Sequence, residues 1–200
     1  MKRFVKLSLV LGFLASPIPV FAGEIIAAEE IEHLLTPKRS LKGPKERTQA
    51  FSDEAYRSLN KGEDPATRGI KIVKTSEGQE ATVAVDTSAT VSFDNVRFKI
   101  DSTELADAVS AKQLEEIAKA LSKFGARTFV LEGHTCDLGD EAHNQKLSEN
   151  RALAVGRFLR SRGVSCVLVP FGYGERDPKN LNDSEASREQ NRRVVISLKS

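Results

Sequence analysis

The sequence is short of net charge, of cysteine and of long apolar runs, and each shortage excludes something. Against 30 Lys and Arg stand 28 Asp and Glu. A chain this close to neutral lacks the global field that draws nucleic acid or acidic membranes, so nucleic acid is excluded as a partner and any specific charge acts locally. Cysteine occurs only at Cys136 and Cys166, which leaves room for one disulfide at most. After residue 22 no apolar run is long enough to cross a bilayer. Between residues 38 and 80 apolar residues are scarce among charge, Gly, Ser and Thr. Such a stretch buries too little surface to fold alone and reads as a flexible linker. A weak helical turn near 52–59 and a short extended piece at 70–73 interrupt it.

What is present begins with a leader. MKRFVK is basic, LSLVLGFLASPIPVF is apolar, and Val20-Phe21-Ala22 closes the run before Gly23. This is the pattern of a secretory signal peptide over 1–22, cleaved after Ala22. As a retained anchor the segment would offer 16 residues, two of them proline, against the roughly 20 a spanning helix needs. No cysteine stands at the cleavage point to take a lipid. Loss of Lys2, Arg3 and Lys6 brings 30 basic residues to 27 against 28 acidic, a mature charge of −1. Residues 23–82 then carry one short helix and the linker. Ile25, Ile26, Ile31, Leu34 and Leu35 lie near helical spacing, and Pro37 ends the run. That apolar face either docks on an envelope protein partner or belongs to a frayed terminal helix.

From about residue 81 the character changes, and 83–200 reads as one folded domain. ATVAVDTSATVSF alternates partly as a strand does, and VRFKI continues it. Ser110 and Gln113 fit a capping box, followed by Leu114, Ile117, Ala118, Leu121 and Phe124 on one helix face, with Gly125 as the stop. TFVLEG at 128–133 is a strand, 143–162 a helix ended by Gly163, VLVPF at 167–171 a strand, SEASREQNR a short helix and VVISL the last strand. The alternation implies a mixed sheet with helices packed on it.

The run GHTCDLGDEAH, residues 133–143, concentrates the chemistry. His134, Cys136 and His143 are competent zinc ligands, but the paired spacing of a structural zinc site is missing, and no metal site is assigned. His134 lies two residues from Cys136, yet no third group orients the imidazole for nucleophilic catalysis, and no catalytic residue is assigned. The following helix says more. Asn144, Leu147, Arg151, Val155 and Phe158 fall on one stripe. A guanidinium on such an inner face meets a carboxylate or opens into a groove. With Asn144 and the helix N-terminus beside it, Arg151 suits the carboxylate of a small zwitterion. An internal ion pair that only braces the fold is the other reading.

LEGHTCDLGDEAHNQKLSENRALAV, followed by FGYGERDP and NRRVVISL, and preceded by FDNVRFKIDSTEL, closely resembles the C-terminal peptidoglycan-binding domain of outer-membrane protein A and its relatives. The resemblance implies a two-layer α/β (α+β) sandwich of the β-α-β-α-β-β type with a mixed sheet. It also implies a non-enzymatic module that needs no cofactor, sits in the periplasm near the outer membrane or cell wall, and grips peptidoglycan through the diaminopimelate of the stem peptide. On the family pattern Arg151, Asn144 and Arg192 take the ligand positions. Cys136 occupies the position of the family's Asp, where a thiol does not replace a carboxylate opposite an ammonium. Asp137, one residue on, is the candidate substitute if it swings in from the loop. The alternative is an envelope protein-interaction module whose peptidoglycan binding is weakened or lost. For the cysteines, export favours a bridge. If the strands at 128–133 and 167–171 run parallel, however, Cys136 and Cys166 lie at opposite poles, and two unpaired thiols with Cys166 buried are expected.

Overall fold

A computed structural model of the chain describes residues 24–38, 43–76 and 78–200, so the segment read as a leader, 1–22, lies outside the described residues. In chain order the elements are α1 (Ala28–Leu35), β1 (Lys45–Ala50), α2 (Asp53–Leu59), β2 (Lys71–Thr75) and β3 (Gly78–Phe93). There follow α3 (Ala108–Leu121), β4 (Thr128–Gly133), α4 (Glu141–Ser161), β5 (Val167–Gly172), α5 (Glu185–Asn191) and β6 (Val194–Lys199).

The sheet runs β1-β3-β6-β4-β5, with β2 also paired to β3. β4 and β5 are parallel, Thr128 opposite Val167 and Gly133 opposite Gly172, while β6 is antiparallel to both β3 and β4. The sheet is therefore mixed, and β3-α3-β4-α4-β5-α5-β6 reproduces the expected order, including the short helix before the last strand.

Period-two alternation sorts side chains between the two faces. Phe129, Leu131, Leu168, Ile196 and Leu198 face α3 and α4, whose Leu114, Ile117, Leu121, Val155 and Leu159 complete the main core. Val130, Val167, Val169 and Phe171 point the other way, where Phe51, Tyr56, Ile70, Val83 and Val85 cover them. β4 and β5 are buried throughout because both faces are covered.

Three expectations need correction. The stretch 43–80 is not a flexible linker: β1 and β2 flank the start of β3, and Tyr56 of α2 is fully buried. Its scarce apolar residues suffice because the sheet supplies the partner surface. The apolar face of α1 is not free for another protein either, since Ile26, Ile31 and Leu35 are buried in the main core beside α3. Finally, Asp107 rather than Ser110 caps α3, its carboxylate accepting from Ser110 N at 2.8 Å. Gln113 clamps the N-terminal segment, Oε1 accepting from Ile26 N at 2.7 Å and Nε2 donating to Ile26 O at 3.1 Å. Cys136 and Cys166 are both free and buried, beyond opposite ends of the parallel strands.

Candidate ligand-binding groove

Two glycines bring α4 down onto the strand ends. A Cβ on Gly133 would meet Ser148 O at 2.2 Å, and one on Gly172 would meet Glu149 N at 2.6 Å. The helix thus crosses β4 and β5 at a spacing only glycine permits. Asp140 caps it, accepting from Ala142 N and His143 N at 3.0 and 3.2 Å. The loop 134–139 folds back over this helix start, and Asn144 Nδ2 ties it down, donating to Leu138 O at 3.1 Å and to Glu175 Oε2 at 2.7 Å.

Between that loop, α4, α5 and the 97–107 segment lies a groove of about 860 Å³. Arg151 lines it with only 5 % of its surface exposed. Nε donates to Ser102 O at 3.0 Å, Nη2 donates to Lys99 O at 3.2 Å, and the guanidinium lies 5.1 Å from the centre of the Phe98 ring. Among the described residues no carboxylate forms an ion pair with it. Burial first, then the neighbouring charge of Arg192, lowers its proton affinity, though a guanidinium stays charged in any protein. A buried cation bound only to carbonyls and an aromatic face is a site for an anion.

Of the other residues singled out from sequence, Asn144, Cys136 and Arg192 line the same groove. Arg192 Nη1 lies 3.6 Å from Cys136 Sγ, and Nη2 donates to Glu185 Oε1 at 2.5 Å. Asp137 is a correction. It does not line the groove, and its carboxylate accepts from Arg188 Nε at 3.0 Å, because one step beyond Cys136 turns the side chain toward α5. His143 lines the groove too, its ring nitrogen 2.6 Å from Asp101, and Leu147 lines it instead of filling the core. Phe98, Ile100 and Leu138 escaped the sequence reading. Ile100 is 98 % exposed at the groove wall, an apolar residue in a polar stretch, and that was the available signal.

His134 is buried against Tyr173, the rings stacked with centroids 5.0 Å apart. Glu132 Oε2 lies 3.9 Å from His134 Nε2, and Arg47 Nε approaches Glu132 Oε1 at 3.4 Å without hydrogen-bond geometry. Burial raises the Glu132 carboxyl to about 7 and holds His134 well below the ordinary imidazole value. Burial thus favours the neutral form of both groups.

The family model described as the OmpA family matches residues 97–192. The peptidoglycan-associated lipoprotein of Pseudomonas putida is 36 % identical over 143 residues, 68 % of this chain and 85 % of that protein. Outer-membrane lipoprotein YfiB of Pseudomonas aeruginosa is 41 % identical over 88 residues, 44 % of this chain. The chain spans only 52 % of YfiB, and 13 % of a longer match. Among solved structures, the crystal structure of the peptidoglycan-associated lipoprotein from Burkholderia pseudomallei is 31 % identical with a TM-score of 0.46, covering 52 % of this chain and 86 % of that one.

Proposed function

This chain belongs to the OmpA family, and we propose that it is an exported cell-envelope protein whose groove binds peptidoglycan non-covalently at the diaminopimelate of the stem peptide. The observation that carries the reading is Arg151, buried at the groove and bound to carbonyls rather than to an acid. Among the described residues no carboxylate pairs with it, which leaves its charge for a ligand while its bonds to Ser102 O and Lys99 O hold the groove wall. Arg151 meets a ligand carboxylate, Arg192 adds a second positive charge beside Cys136, and Asn144 holds the loop that closes the groove. The role is structural attachment rather than catalysis. The names of the relatives, peptidoglycan-associated lipoprotein among them, support the same reading.

Co-sedimentation with purified sacculi tests it. Arg151→Ala is expected to lose about 2–5 kcal/mol of binding, a fall in affinity of roughly thirtyfold or more. Retention equal to wild type would remove the groove from the function. The rival reading, an interaction module docking an envelope partner through its N-terminal helix, lacks a surface, because α1 has its apolar face in the chain's own core.

A further inference from the structure

Resting on that reading of the groove, we infer that it recognises the carboxylate at the free end of diaminopimelate and not the ammonium beside it. The acids that line the groove are Asp101, Asp107, Glu185 and Glu189, and each already has a basic side chain against it. Asp101 lies 2.6 Å from His143, Asp107 and Glu189 lie 2.7 and 3.1 Å from Arg97, and Glu185 lies 2.5 Å from Arg192. All stand at the solvent-facing mouth, the least exposed side chain being that of Asp107 at 33 %. The buried wall holds Arg151, Arg193, Cys136, Thr135, His134 and Asn144, with no carboxylate among them. Glu175, which lies behind Asn144, does not line the groove and already accepts from the Asn144 amide.

An ion that enters this wall therefore meets positive charge and neutral groups. A carboxylate gains from Arg151 and Arg192, whereas an ammonium is stripped of water with no anion to replace it. The ligand's ammonium then stays in solvent at the mouth, where its removal costs little. Cys136 is the position that decides this, because its side chain stands against Arg192 at the buried wall. The groove thereby reads the ligand by half of its zwitterion.

Synthetic stem tetrapeptides that differ only in the third residue separate the two halves. Meso-diaminopimelate carries both groups, 2-aminopimelate keeps the carboxylate and lacks the ammonium, and lysine keeps the ammonium and lacks the carboxylate. In calorimetric titration of the full chain, the 2-aminopimelate peptide is expected to bind within about twofold of the diaminopimelate peptide, and the lysine peptide at least tenfold more weakly. A tenfold loss with 2-aminopimelate, or none with lysine, would overturn the inference. Failure of the diaminopimelate peptide itself to bind would overturn the underlying peptidoglycan reading, a different and separable result. Folded C136D, checked by circular dichroism, is expected to acquire a tenfold preference for diaminopimelate over 2-aminopimelate. Absence of that preference places the ammonium away from residue 136 and also counts against the inference.

Discussion

At the scale of single residues, the groove depends on where the backbone lets side chains stand. Arg151 is directed into it from the inner stripe of α4, and that much follows from helical spacing. Asp137 misses it by one position and is spent on Arg188. The placement of α4 depends on residues with no side chain at all. A Cβ at Gly133 would press on Ser148 O at 2.2 Å and Ser148 C at 3.0 Å, both backbone atoms that cannot swing aside. Gly133→Ala is therefore expected to lift the helix from β4 and destabilise the fold by about 1–3 kcal/mol in urea unfolding. Because Arg151 follows one turn after Ser148, sacculus binding should weaken in the same variant. A stability equal to wild type would mean the helix yields freely and the close approach is not a constraint.

At the scale of elements, α3, α4, β4 and β5 were legible because their apolar spacing is clean and Gly125 and Gly163, both with positive φ, mark their neighbours' ends. The segment 43–80 was only partly legible. Its expected helical turn and extended piece exist as α2 and β2, but β1, KERTQA, has no apolar residue except Ala50 and alternates only between exposed and half-buried. A strand whose stability comes from pairing with β3 carries almost no periodic signal of its own. The groove wall at 97–107 was recognisable by its resemblance but misread as a continuing strand at VRFKI. β3 ends at Phe93, and the stretch is held by the Phe98–Leu105 bridge and by Arg151 rather than by regular structure. α1 shows a further limit: its amphipathic face was evident, but not what covers it. Ile31 is fully buried beside α3, so Ile31→Ala should cost about 2–5 kcal/mol of global stability by chemical denaturation. A change below about 0.5 kcal/mol, the usual range for a surface site, would mean that α1 is peripheral and free to dock elsewhere.

At the scale of the whole molecule, the sheet curls so that β1, next to β3 at one edge, also touches β5 at the other. The curl encloses Glu132 and His134, with Arg47, Tyr173, Asp177 and Arg193 around them. Their titrations pull global stability in opposite directions. Glu132 titrates near 7 in the folded chain against an ordinary 4.5, so between those values the folded state holds the extra proton and acid stabilises it. His134 is shifted down from 6.5, so below that value the unfolded state holds the extra proton and acid destabilises the fold. Below pH 6.5 the two slopes therefore oppose each other. Single substitutions should unmask them. Relative to wild type, Glu132→Gln is expected to lose stability steadily as pH falls below 6.5, with only His134 left to respond. His134→Phe, which keeps the stack on Tyr173, should instead gain stability as pH falls from 7 toward 4.5, by roughly 3 kcal/mol in all. Urea midpoints at constant ionic strength across this range measure both. Parallel pH profiles for the two variants would mean that water reaches the enclosed pair and that neither group is held away from its ordinary value.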